Sequence, residues 1–300
     1  MNRRKRMLRN VCIYTSIFIL AIAGFIYFLV QKSAQNDEAL AEPAPENQIT
    51  AEDLPEIVIN VEVEEPPRQI NTATEEHHKT NGLAVCMYHY VYDENNPPDE
   101  INANYIEVKA LEEQLLYLIE NDYYFPSWEE VRQYVDGELL LPEKSIVLSF
   151  DDGAKSFLKV GAPLFDKYEI PVTSFLITIK DGENKVATYE SEFLQFQSHT
   201  HNMHRAGGNI GHGGIFPVMP HDEAVADLKE SIRICGNGEA LAYPYGDYND
   251  SCVAAVKEAG FLCAFTTEYG RVFPGDDPYL LPRIRISHGQ SLKSFIAAVE

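Results

Sequence analysis

The chain has 300 residues and a net charge of -22, from 46 acidic against 24 basic side chains, in an otherwise ordinary globular composition with 45% apolar residues. That length fits one large domain with appendages. The acidic balance excludes nucleic acid as a partner, because phosphate binding needs clustered Lys and Arg.

The charge is unevenly spread. Residues 1–10, MNRRKRMLRN, hold five basic residues and no acid, and residues 11–30 follow with no charge at all. A twenty-residue apolar run matches the roughly 30 Å hydrocarbon core of a bilayer. The basic flank predicts a cytoplasmic N-terminus with the rest of the chain outside. A cleaved signal peptide is the competing reading, with ALA at 39–41 as the cleavage site. Apolar cores of signal peptides run only about 7–15 residues, which favours an uncleaved signal-anchor. The expectation is a single-pass protein of the cell membrane, with residues 1–32 as basic N-terminus and transmembrane helix. Residues 33–80 are acidic and Pro-containing, too poor in apolar surface to offset ordering entropy, and read as a disordered stalk. Within it, EIVINVEVEE at 56–65 alternates like a short edge strand.

Residues 81–300 read as one extracytoplasmic domain of alternating strands and helices. Strands are expected at 83–91, 145–150, 171–178, 193–199, 239–243, 261–267 and 281–287. Helices are expected at 108–122, 127–137, 155–168, 222–234, 250–259 and 292–299. Ser127 with Glu130 forms a capping-box pattern for the second helix, which Gly137 ends. Short apolar strands between amphipathic helices indicate α/β architecture with a mostly parallel sheet. About seven such units fit a closed, distorted (β/α) barrel. No glycine-rich nucleotide fingerprint follows the first strand. Cys86, Cys235, Cys252 and Cys263 allow three disulfide pairings, and their spacing selects none over buried free thiols.

In barrels, chemistry gathers at the carboxyl ends of strands. There the chain offers Tyr88 and His89; Asp151 and Asp152; Ser198, His199, Thr200, His201 and His204; and Tyr243, Pro244, Tyr245 and Gly246. Adjacent carboxylates repel, and a cation between one of them and a histidine pair relieves that repulsion. A carboxylate with two imidazoles suits a divalent transition metal with open positions. The spacing of five between His199 and His204 requires a bend in the chain. One aspartate then binds metal while the other takes a proton from the water that the metal activates.

The motifs SFDDG, SHTHNMH and AYPYG, in this order, resemble those of the polysaccharide deacetylases of the NodB-homology type, carbohydrate esterase family four. MYHYV and FTTEYG also look like that family, and the likeness spans about residues 83–298. The pattern is nearest to cell-surface deacetylases of poly-N-acetylglucosamine and of wall polysaccharides. The resemblance implies Asp151 as general base and Asp152, His199 and His204 as ligands of a divalent metal, zinc above others. It implies Tyr245 as oxyanion donor through its backbone N–H, with Tyr243 and Pro244 beside the substrate. His89 is the implied general acid, and His288 in RIRISHG is the alternative. The implied reaction is hydrolysis of the N-acetyl group of N-acetylglucosamine in a wall or surface polysaccharide. O-acetyl ester hydrolysis and glycan binding without turnover are the alternatives.

Two positions depart from the family pattern. Ala242 stands where the family often has the arginine that orients the base, and FTTEYG offers Glu268 and Tyr269 instead of an aspartate with an aromatic. The residue that orients the base is therefore not readable.

Overall fold

The computed structural model describes residues 69–300. Seven parallel strands close into a barrel: β1 (Ala84–Tyr88), β4 (Ile146–Phe150), β5 (Val172–Leu176), β6 (Leu194–Ser198), β7 (Ala240–Ala242), β8 (Cys263–Tyr269) and β9 (Leu281–Arg285). Its two ends meet where β1 pairs with both β4 and β9. The remaining strands, β2 (Tyr90–Tyr92) and β3 (Tyr105–Glu107), form a small parallel sheet of their own.

The two-residue strand period divides the core into an outer and an inner part. Ala84, Cys86 and Tyr88 with Ile146, Leu148 and Phe150 point outward. They pack with α1 (Val108–Glu120), α3 (Ala162–Tyr168) and α7 (Leu292–Val299). Leu241 and Ala264 point outward onto α5 (His221–Cys235) and α6 (Asp250–Ala259). The alternate residues Val85, Val147, Phe175, Phe265 and Leu281 fill the barrel interior. Trp128 at the start of α2 (Trp128–Val135) closes that interior from below, against Phe175 and Phe265. Its indole N–H donates to Thr173 Oγ1 at 3.2 Å, so the one polar atom of the plug is satisfied. The capping box of Ser127 and Glu130 fixes where α2 begins.

The expected barrel and most expected elements are present with ends shifted by a few residues. The sequence reading missed β3 and the short helix α4 (Gly182–Thr188). Neither has an apolar repeat long enough to show a period. Residues 155–168 are not one α-helix: a π-helical turn, Phe157–Gly161, precedes α3. The four cysteines from Cys86 onward are buried free thiols.

The membrane expectation is corrected. No helix among the described residues is long and apolar enough to cross a membrane. The transmembrane signal-anchor, the membrane as partner and the single-pass cell-membrane location therefore have no support in the structure. The longest described helix is α5, with 15 residues and acidic groups in its first turn. A span needs about 20 apolar residues. Residues 11–30, on which that expectation rested, lie outside the described residues, as do most of the stalk and the 56–65 strand. Residues within 69–80, read from the sequence as the end of the stalk, hydrogen-bond to residues of the barrel domain. The Gln69 side chain bridges Tyr123 and Phe125, and Lys79 N–H donates to Leu141 O at 2.8 Å.

Candidate metal and active site

The pleat that fills the barrel also aims the chemistry. Residues 147, 149 and 151 share one side of the strand line, and Val147 already lies inside, so Asp151 follows it into the barrel mouth. The next residue would face outward in a continued strand. Instead Asp152 takes a left-handed backbone, φ 71°, with Gly153 at φ 56° after it. The turn brings Asp152 back over the rim, and a Cβ on Gly153 would lie 2.3 Å from Leu176 Cδ1. Adjacent acids thus reach different places, Asp151 buried within and Asp152 at the entrance.

The bend between the histidines is built locally. Thr200 has φ 67°, its N–H donates to Ser198 Oγ, and its own hydroxyl oxygen accepts from Met203 N–H. Asp227 on α5 accepts from the backbone N–H groups of His201 and Asn202, both at 2.8 Å. The carboxylate therefore holds the loop open at the width that turns His199 and His204 toward each other, with ring centroids 4.7 Å apart. His201 points elsewhere, its Nδ1 at 3.0 Å from Thr178 Oγ1. Left-handed backbone at a non-glycine residue costs of order 1–3 kcal/mol and clusters at functional sites. Asp152, Thr200 and Tyr245 all carry it, and all surround this entrance.

Asp152, His199 and His204 form a group whose ligand atoms lie within 4.8 Å of one another. Asp152 Oδ1 is 3.6 Å from His199 Nε2 and 3.4 Å from His204 Nε2. His199 Nδ1 lies 2.7 Å from Ala242 O, and a carbonyl only accepts, so Nδ1 carries a proton and Nε2 is the atom turned to Asp152. Burial first, then the neighbouring His199, pushes His204 down to about 4, so it is neutral near pH 7. A carboxylate oxygen thus faces two imidazole Nε2 atoms, an arrangement that a divalent cation completes. The residues fit such an ion.

Asp151 is only 2% exposed, and burial by itself raises its pKa. Arg283, wholly buried, reverses this through its charge and two 2.8 Å hydrogen bonds to the two carboxylate oxygens. His199 and His89 add to that effect, and Asp151 stays well below the usual carboxylate range. Arg283 is itself fixed by Thr266 O and lies over the Phe175 ring. The guanidinium therefore comes from β9, not from the position of Ala242, whose side chain is apolar and whose carbonyl instead orients His199. The sequence signal was a charged residue inside an apolar strand, two residues after the interior-facing Leu281.

His89 sits at the same mouth. Burial lowers its pKa, while Asp151 and Asp152 pull the other way, and its Nδ1 has no hydrogen-bond partner among the described residues. His288 lies beside the small sheet, its ring 6.0 Å from Tyr92. Tyr245 has φ 60° and packs its ring on His204 at 4.3 Å. Tyr243 and Pro244, expected beside substrate, are buried; the Tyr243 ring contacts Phe216 and Tyr248 and shows no surface to a glycan. Asp247, buried just beyond, accepts from His212 and Gly214 N–H and ties the glycine-rich loop 206–214 to Tyr245. Tyr90, also unread in the sequence, donates to Asp152 Oδ2 at 2.6 Å.

Comparison with known proteins agrees with this geometry. The family model described as polysaccharide deacetylase matches residues 140–264, the stretch from β4 to β8 that carries the aspartates, the histidines and Tyr245. A Staphylococcus epidermidis protein named poly-beta-1,6-N-acetyl-D-glucosamine N-deacetylase is 30% identical over 206 residues, covering 63% of this chain and 70% of its own. A Staphylococcus aureus protein of the same name is 27% identical over 252 residues, covering 75% and 83%. Among solved structures, a Streptococcus pyogenes deacetylase in complex with acetate matches with a TM-score of 0.63 at 23% identity, over 74% of this chain and all of its own. IcaB from Ammonifex degensii matches with a TM-score of 0.60 at 23% identity, over 74% and 99%. At that identity the two structures show a shared fold. With a relative 30% identical matched over 70% of its own length, the chain belongs to the polysaccharide deacetylase family and is a hydrolase.

Proposed function

We propose that this protein is a metal-dependent N-deacetylase of polymers containing N-acetylglucosamine, releasing acetate and leaving free amines, with zinc as its ion. One observation carries the reading: the Asp152–His199–His204 group stands beside a separate, ionised carboxylate, Asp151, locked by Arg283. The names of the relatives, N-deacetylases of poly-β-1,6-N-acetylglucosamine, supply the substrate class.

The divalent ion held by Asp152, His199 and His204 supplies Lewis acidity toward water and the acetamide carbonyl. Asp151, ionised and fixed, takes a proton from water as its oxygen attacks the carbonyl carbon. The Tyr245 backbone N–H donates to the oxygen that gains charge, an interaction typically worth about 2.7–4 kcal/mol of barrier. His89 gives a proton to the sugar nitrogen as the C–N bond breaks. His89 is half-buried at the mouth, where burial lowers its pKa and the charges of Asp151 and Asp152 favour the protonated form that a general acid needs.

The test is acetate and amine release by the purified protein from N-acetylglucosamine oligomers and from poly-β-1,6-N-acetylglucosamine, with zinc and with chelator. Chelator-sensitive acetate with matching amines supports the proposal. Acetate from an O-acetylated polysaccharide without amines would make it an esterase. Bound zinc and glycan without acetate would make it a binding module.

A further inference from the structure

We infer that Tyr90 is a positioning residue for the metal centre, its hydroxyl holding Asp152 so that Oδ1 alone is presented to the ion. The inference rests on the reading of Asp152, His199 and His204 as metal ligands.

The two oxygens of Asp152 are used differently. Oδ1 faces Nε2 of both histidines, at 3.6 and 3.4 Å. Oδ2 accepts the Tyr90 hydroxyl at 2.6 Å, within the range of a charge-assisted O–H···O bond. An oxygen engaged by so short a bond is turned toward the phenol and away from the histidines. Rotation of the carboxylate to offer both oxygens would break that bond in a half-buried place where water replaces it poorly. Asp152 also pays for a left-handed backbone, a conformation that persists only where the surroundings over-determine it. The Tyr90 bond is one such determinant.

The small sheet gives Tyr90 a fixed seat. Tyr90 pairs with Tyr105 across β2 and β3, its N–H donates to Asn104 O, and the two rings lie 5.0 Å apart. The next residue, Val91, is almost wholly buried and anchors β2 against the π-helical turn, where a Cβ on Gly161 would lie 2.9 Å from Val91 Cγ2. Two strands of three residues have little stability alone. Packed here, they deliver a tyrosine hydroxyl to the one carboxylate of the histidine group. Outer partners of this kind orient metal ligands, and their loss typically costs about 10–100-fold in metal affinity.

The experiment measures the zinc dissociation constant, by competition with a chelating indicator, for the wild-type protein, Tyr90→Phe, Tyr92→Phe and His199→Ala. Thermal unfolding of the metal-free forms accompanies it. Tyr90→Phe keeps the ring and its contact with Tyr105, so the metal-free fold is retained while the dissociation constant rises about 10-fold or more. Tyr92→Phe removes a hydroxyl from the same strand and leaves affinity unchanged. The absorption of the cobalt-loaded proteins is a second readout: a second carboxylate oxygen in Tyr90→Phe raises the coordination number and weakens the visible bands. Wild-type affinity in Tyr90→Phe, unchanged cobalt bands, or an equal loss in Tyr92→Phe each overturns the inference. If His199→Ala binds zinc as tightly as wild type, the metal centre itself is misread and the role of Tyr90 falls with it.

Discussion

Arg283 on β9 and Asp151 at the end of β4 meet inside the barrel mouth through two parallel 2.8 Å hydrogen bonds, with both groups almost wholly shielded from water. The strands that carry them are not neighbours: β1 lies between. A buried pair of this kind adds little net stability compared with apolar packing, but removing one partner leaves an uncompensated charge. The pair therefore holds a carboxylate ionised at a depth where burial by itself would neutralise it.

Replacing Arg283 with Met should lower unfolding free energy by about 3–5 kcal/mol, as seen when a buried pair loses one member. The same change removes the main influence depressing Asp151. Burial then dominates, the carboxyl protonates at higher pH, and the acid limb of kcat/KM moves upward. A profile that drops in height without moving on the pH axis would show that Arg283 acts through structure alone.

Asp151→Asn can keep only one of the two hydrogen bonds from Arg283 and should keep one bound zinc ion, yet lose about 100-fold or more in kcat/KM, the usual contribution of a general base. Zinc content and acetate release, measured on the same sample, test this. Activity within a few-fold of wild type would remove Asp151 from the reaction.

Acid should destabilise the protein through the same residue. The folded-state pKa of Asp151 lies below its unfolded value of about 3.9, so its contribution is fully present above that value and fades as pH falls further. Denaturant unfolding between about pH 6 and pH 2 should fall more steeply for wild type than for Asp151→Asn. Parallel curves would mean that other carboxylates govern the acid transition.

His89→Ala should reduce kcat with little change in KM, whereas His288→Ala should leave both near wild type. His89 lies in the field of Asp151 and Asp152, while His288 packs beside Tyr92 of the small sheet. A collapse of kcat in His288→Ala with normal turnover in His89→Ala would exchange the two roles.

Chelation should abolish turnover, and zinc should restore it. His204→Ala should lose the ion with little loss of stability, since this imidazole has been pushed down to about 4 and is already neutral near pH 7. Retention of a full equivalent of zinc by His204→Ala, measured by metal analysis, would remove it from the ligand set.

Much of the frame was legible because its signals are local. Apolar runs such as Ile146–Phe150, the capping box at Ser127 and Glu130, and the order of the aspartate and histidine motifs are each contained within a few residues. Adjacent aspartates at a strand end and two histidines five apart already pointed to a bend and to a cation site. By itself the sequence determined the barrel, the donor types and their rim position.

Which groups meet was decided only by the closed barrel. Arg283 reaches Asp151 from 132 positions away because interior residues of non-adjacent strands converge in the lumen. Asp227 shapes the histidine loop from α5, and Tyr90 reaches Asp152 from a sheet too short to announce itself. Tyr243, polar and next to the motif proline, instead lies against Phe216 with no exposed surface. Local pattern fixes a residue's strand and face, but contact across a barrel depends on closure and register, which no short stretch of chain contains.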